Sequence, residues 1–472
     1  MSREDTIRRA KGFTADGRFL AELGKRIGVP TQSSIESSHK DLWYYLEHVI
    51  APDFENLGCD VTIHPNPIEG GGPFLVAKRV EGPALPSIFC YGHGDVVPGM
   101  EGAWKDNLDP WSTTVLGDKI FGRGTADNKG QHTINMLALE AVIAAREKLG
   151  FNLTFLVEMA EETGSLGLRE FCAANKDMLA SDVLIASDGP RVAVDTPTMV
   201  LGVRGAMEFS LVADLRQEDH HSGNWGGILA DPTVILAHAL TTIMDRNGKI
   251  LIDDWLPKNL PDYVRSSLEG CPFDPGESAD TPDDYWGEPG FTTAEKLCAW
   301  NSFDVLAMDV GDAKNPVNAI PKRAVMHCAL RFVVGTDTDN VVPALRKHLD
   351  EQGFGMIHVE EPDHNPAYQA SRHNPNLPWV QWAAHSVKTT LGRAPQVLPN
   401  GAGSLPNDIF CDLLGMPTIW VPHSYNSCGQ HAPDEHLLMP LVKEGLEMMA
   451  GIFWDAGELG EGFEQRLVQT DE

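Results

Sequence analysis

The sequence predicts an α/β fold: a mixed sheet flanked by helices, interrupted by a smaller α+β insertion. Three observations carry this reading. Residues 87–91, 153–157 and 183–186 form short, continuous apolar runs, the pattern of strands buried on both faces. These runs alternate with helical stretches, clearest in the alanine-rich segment 130–149, as expected where helices cover both faces of a sheet. Beyond Leu201 the pattern changes to alternating, half-buried strands, which marks a second architecture.

In chain order, residues 16–58 are expected to form two helices. The second is amphipathic through Leu42, Tyr45, Leu46, Val49 and Ile50. Strands follow at 61–63 and 74–78, and the compact run 87–91 leads directly into His93. The 130–149 helix closes on a glycine, and strands 153–157 and 183–186 come next. In the insertion, 207–215 and 324–334 read as strands and 230–244 as a helix. Residues 254–294, rich in proline, aspartate and glycine, read as a long irregular surface excursion. The sheet resumes near Tyr368, with one more strand at 418–421. The expected division is therefore a catalytic domain from 1–204 and 368–472, with 205–367 inserted.

A chain of 472 residues exceeds one simple core, which agrees with two domains. Its 42% apolar and 22% charged content is ordinary for a globular enzyme. The net charge of −30, from 37 basic and 67 acidic residues, argues against nucleic acid or an anionic membrane as partner. No run of about eighteen apolar residues predicts a membrane span. The start, Met1-Ser2-Arg3-Glu4-Asp5, lacks the apolar stretch of a secretory signal. The eight cysteines are scattered without a Cys-x-x-Cys pair, indicating neither a thiolate zinc site nor a disulfide framework. A cytoplasmic location is expected.

The chemistry concentrates at Glu161-Glu162, in Glu161-Glu162-Thr163-Gly164-Ser165, just past a buried strand. Adjacent carboxylates there repel each other and resist desolvation. The pair is sustained most easily if one carboxylate binds a cation and the other serves as a base. His93-Gly94-Asp95 offers a ligand with an orienting partner, because metal-bound imidazoles usually donate their second N–H to an oxygen. Alone, that tripeptide is more often structural. Asp127 lies in the loop Gly122 to Gly130, whose third dinucleotide-type glycine position is occupied by Asp127 itself, so a nucleotide reading fails. Asp127 and Asp188 singly read as turn formers. Taken together, and with His431 in Ser427 to Glu435, they suit zinc, manganese or cobalt better than magnesium or calcium.

These motifs resemble the dinuclear zinc peptidase and aminoacylase family of carnosine dipeptidases, glutamate carboxypeptidases, aminoacylases and succinyl-diaminopimelate desuccinylase. The match runs in order from about Tyr91 to His431 and is most similar to the carnosine-dipeptidase branch. The resemblance implies a zinc-exopeptidase catalytic domain carrying an inserted lid and dimerisation domain. It implies two divalent cations per subunit, zinc first and manganese or cobalt as alternatives. His93 and Asp188 would hold one cation and Glu162 and His431 the other, with Asp127 bridging. Glu161 would be the general base, Asp95 a further catalytic residue, and a cis peptide would follow Asp127.

The insertion matches as well. His221, in Asp219-His220-His221-Ser222-Gly223, resembles the histidine that a homodimer partner lends to the active site, with His220 as the competing assignment. Asn318 and Pro321, Arg331, and Gly403-Ser404 correspond to substrate-binding positions, the arginine taking a substrate carboxylate. The expected reaction is hydrolysis of a peptide or amide bond beside a free carboxylate, in a dipeptide or an N-acyl amino acid. An aminoacylase would keep the same residues. A non-catalytic peptide-binding relative should have lost the base or a ligand, and all are present. The region between His221 and Asn318, with Asp283-Asp284-Tyr285-Trp286, is matched to no member, so the substrate stays open.

Overall fold

The computed structural model describes residues 2–276, 281–361 and 368–467. The expected domain limits at 1, 367 and 472 lie outside these residues, as do residues 277–280 of the excursion. The fold is mixed α/β, as the sequence predicts. Eight strands form one sheet in the order Asp60–His64, Phe74–Arg79, Asn152–Glu158, Ser87–His93, Val183–Ala186, Thr418–Trp420, Thr198–Val200 and Gln396–Leu398. The four central strands, Asn152–Glu158 through Thr418–Trp420, are mutually parallel. All their C-terminal ends therefore open on the same edge, where α/β sheets bind ligands.

Strand alternation builds two cores from one sheet. Ile88, Cys90, Leu153, Phe155, Val183 and Ile185 enter the larger core on one face. Their neighbours Phe89, Tyr91, Leu156, Leu184 and Ala186 enter a smaller one on the other face. The helix Lys129–Arg146 packs into the larger core beside Met439–Leu459 and Arg3–Ala15. It ends at Glu147 in the left-handed region (φ 62°) rather than at a glycine. Arg3–Ala15 is a helix the sequence reading lacked. The expected second helix occupies His39–Tyr44, a π-helical segment Tyr45–Ile50 and Ala51–Asn56.

A second, antiparallel sheet runs Ser302–Asp309, Arg323–Phe332, Gly205–Asp214, Ile357–Glu360. Leu211, Met326 and Leu330 pack from one face against Leu236 and Leu345 of the helices Pro232–Ile243 and Val341–Glu351. Asp231 caps the first of these by accepting the Thr233 amide.

The excursion is more ordered than expected. It contains the helices Asp262–Leu268 and Thr293–Cys298, the latter started by a Thr292/Glu295 capping box. Trp255 is fully buried in the second core, its indole donating to Val341 O at 2.9 Å. Proline and aspartate density reads as surface loop by composition, but the apolar residues between them find partners only in three dimensions. Val264, Leu268, Ala294 and Cys298 pack together with Leu398 of the large sheet.

Candidate metal centre

His93 ends its strand and Glu161-Glu162 follows the next one in the sheet, across a short 3-10 turn. Asp188 lies two residues beyond Ala186, and His431 follows the Thr418–Trp420 strand. Parallel pairing thus gathers residues that are far apart in sequence. Asp127 comes from the glycine loop before the Lys129–Arg146 helix. Glu435 holds that loop, accepting Arg123 Nη1 (2.8 Å) and the amides of Gly124, Ala126 and Asp127 (2.9, 2.8 and 3.0 Å). Gly124 needs its positive φ of 89°, and a Cβ on Gly130 would fall 1.9 Å from Thr125 O. The Asp127–Asn128 peptide is cis.

Two donor groups share Asp127. His93, Asp127 and Asp188 form one, and Asp127, Glu162 and His431 the other, each with its donor atoms within 4.8 Å of one another. Asp127 Oδ1 lies 3.0 Å from His93 Nε2, and Oδ2 lies 3.1 Å from His431 Nε2. Each oxygen thus faces a different group. His431 Nε2 is also 2.9 Å from Glu162 Oε2. Asp95 supports the cluster from behind: its carbonyl accepts His93 Nδ1 at 3.1 Å. Its carboxylate accepts the Glu161 and Glu162 amides, both at 3.1 Å, so its charge steers the glutamate turn more than the imidazole.

The residues fit a pair of cations. Two buried carboxylates, Asp127 and Asp188, and two half-buried ones, Glu161 and Glu162, face two histidines, and among the described residues Asp188 Oδ2 is buried with no hydrogen-bond partner. Burial pushes Glu161 well above the carboxylate range, with His93 opposing it and Glu162 and Asp188 adding repulsion. Burial and then Asp127 push Glu162 up to about 7. Hydrogen bonds to Asp127 and Glu162 raise His431 to about 10. Burial alone would lower His93, but its contacts with Asp127, Asp188 and Asp95 raise it well above its ordinary value. The cluster therefore takes up protons to offset its negative charge, the task divalent cations would perform. Imidazole with carboxylate oxygen is a zinc-type or manganese-type donor set.

A cavity of about 580 Å³ adjoins the cluster, and Asp127, Glu161, Asp188, His431, Gly403 and Ser404 line it. Arg331 stands behind Ser404, its Nη1 donating to Ser404 Oγ at 3.1 Å. His221 and Asn318 are elsewhere. Both are exposed, beside the short ladder pairing His221 with Ala319, and neither lines the cavity. The Pro321 carbonyl accepts Arg216.

Several residues beside the cluster escaped the sequence reading. Gln430 Nε2 donates to Asp127 Oδ2 at 2.5 Å, and Tyr368 OH donates to Glu161 O at 3.3 Å. Arg204, buried next to Arg331, donates to Ala402 O at 2.8 Å and makes no ion pair among the described residues. Gln430 and Glu435 flank His431 in one motif, so adjacency was their signal. Tyr368 and Arg204 carried none.

This fold and site define a metal-dependent hydrolase of peptide bonds. The chain belongs to peptidase family M20/M25/M40, whose profile matches residues 89–455. It is 34% identical over 403 residues to the Beta-Ala-His dipeptidase of Mus musculus, covering 83% of this chain and 81% of that one. It is 24% identical over 468 residues to the Cys-Gly metallodipeptidase DUG1 of Saccharomyces cerevisiae, covering 92% and 94%. Its fold superposes on human carnosine dipeptidase 1 with a TM-score of 0.78 at 21% identity, covering 97% of this chain and 100% of that one.

Proposed function

We propose that the protein is a dipeptidase or carboxypeptidase-like exopeptidase that cleaves the amide bond beside a free carboxylate. The observation that carries this is the pair of donor groups sharing Asp127 at a cavity where Ser404 is backed by Arg331. His93 and Asp188 would hold one cation and Glu162 and His431 the other, with Asp127 between them. Zinc is the first expectation, with manganese or cobalt as substitutes. When bound, the pair would polarise the scissile carbonyl and acidify the attacking water.

Glu161 lines the cavity without belonging to either donor group, which leaves it free to take the water proton and pass it to the leaving nitrogen. Its backbone is held by Asp95 and Tyr368, so the carboxylate approaches from a set direction. Arg331, with Gly403 and Ser404, would fix the substrate carboxylate; among the described residues it has no acidic partner, which suits a guanidinium to a bidentate contact. Burial lowers the neighbouring Arg204 guanidinium to about 10, so it is still charged at neutral pH and adds to the same positive region.

His221 and Asn318 would serve the site of a second copy. In this reading residues 205–367 form the inserted lid and dimerisation domain of a two-fold homodimer. Support comes from their exposure away from the cavity and from the exposed apolar residues Trp225, Ile228, Val317 and Leu306 in the same region. Cytoplasmic residence agrees with eight free cysteines. Among the described residues, no helix is long and apolar enough to cross a membrane.

The test is hydrolysis of a panel of free dipeptides, their C-terminally amidated analogues and N-acyl amino acids, with zinc or manganese added. Free dipeptides should be cleaved, and amidation should cost roughly 10-fold to 100-fold in kcat/KM by removing a charge-assisted pair. Arg331→Ala should abolish that preference. Equal rates on free and amidated substrates would overturn the carboxylate assignment.

A further inference from the structure

The cavity extends well beyond the carboxylate cluster, and its volume of about 580 Å³ falls within the range for drug-sized ligands, about 300–1,000 Å³. The excursion supplies much of the remainder. Cys271, Pro272 and Phe273 come from the loop after the Asp262–Leu268 helix, and Leu297 and Cys298 come from the Thr293–Cys298 helix. Val192, Val200 and Leu405, from segments outside the excursion, line the same space. Phe273 stays 42% exposed, an aromatic ring on the cavity surface that its own chain leaves uncovered.

The charged lining residues outside the cluster, Asp274 and Arg191, are each anchored by hydrogen bonds. Asp274 accepts the Gly276 amide on Oδ1 (2.8 Å) and the Val194 amide on Oδ2 (3.1 Å). Arg191 donates to Glu444 at 2.5 Å and to Pro422 O at 3.1 Å. Burial raises both thiols, Cys298 to about 12, so they stay neutral and behave as small apolar surface. An ammonium or carboxylate side chain packed against Phe273 and Leu297 would lose water to an apolar surface. A bulky hydrocarbon or aromatic side chain would remove Phe273 and Leu297 from water at no polar cost.

We propose that the excursion and the Thr293–Cys298 helix that follows it form a specificity wall, in which Phe273 and Leu297 select substrates carrying one large, uncharged, apolar side chain. This rests on the peptidase reading of the adjoining cluster and adds the substrate class.

The experiment measures kcat/KM of the cation-loaded enzyme for two series of free dipeptides, Xaa-Ala and Ala-Xaa. Xaa is Ala, Val, Leu, Phe, Asp or Lys. In one series the value should rise at least about 10-fold from Ala to Leu or Phe and fall for Asp and Lys, since even one methylene in an apolar pocket can be worth that much. Phe273→Ala should cut the Leu-over-Ala ratio about 10-fold, and Phe273→Leu should keep most of it. Leu297→Ala, on a separate helix, should lower the same ratio. Flat series, a preference for Asp or Lys, or an unchanged ratio in both alanine variants would overturn the wall. Failure to cleave any member would sink the peptidase reading, and this inference with it.

Discussion

The cluster His93, Asp127, Glu162, Asp188 and His431 and the trio His221, Asn318 and Arg331 are built on contrasting principles. The first set hangs from the ends of parallel strands and a buried loop, and the residues behind it, Asp95 and Glu435, spend their carboxylates on backbone amides. Every member finds its neighbours within the same chain. The second set belongs to the four-stranded region. There only Arg331 reaches toward the cavity, while His221 and Asn318 face solvent. A rigid, self-contained half suits cation binding, where donor positions must hold to fractions of an ångström. In the other set His221 and Asn318 do not line the cavity, as the proposed shared site would require.

The largest expected effect probes the self-contained half. Glu161→Gln should retain both cations yet lose roughly 10²-fold to 10⁴-fold in kcat, the usual contribution of a general base. Glu162→Gln should instead weaken cation binding, read by equilibrium dialysis and elemental analysis. Full activity of Glu161→Gln with both cations bound would erase the distinction between base and ligand.

A smaller effect probes the incomplete half. Mixing inactive His221→Ala with inactive Glu161→Ala under subunit exchange should restore about a quarter of wild-type activity. Random pairing makes about half the dimers hybrid, each with one intact site of two. Exchange confirmed by native mass, with no recovery, would place His221 in its own subunit's site or outside catalysis.

The legibility of these halves in the sequence differed for physical reasons. The strands that carry His93, Glu161-Glu162 and Asp188 stood out because burial on both faces demands unbroken apolar runs. Thr198–Val200 and Gln396–Leu398 are three residues each, too short to show a period. Arg3–Ala15 buries only Thr6, Ala10 and Phe13, which leaves a weak apolar stripe. The candidate donors were legible as motifs, but not which residue stands behind which. That Asp95 holds the glutamate turn, or that Glu435 holds the Asp127 loop, follows from contacts across 66 and 308 residues of sequence. The excursion is largely exposed, as its composition indicates, but its helix and the buried Trp255, Val264 and Leu268 were not legible, because composition reports turn chemistry and says nothing of partners supplied by a distant sheet.

The most direct measurement is a cation titration of chelator-treated protein at pH 8, following zinc or manganese uptake, proton release and hydrolysis together. His431 is raised to about 10, so it carries a proton at that pH and must lose it to become a ligand, and His93 is raised in the same direction. The expected result is two cations bound per subunit, protons released as they bind, and activity that returns as the sites fill. In Asp127→Asn, both cations should bind more weakly, because one carboxylate serves both groups. A single cation per subunit, uptake without proton release, or an Asp127→Asn variant that binds two cations normally would contradict the shared centre.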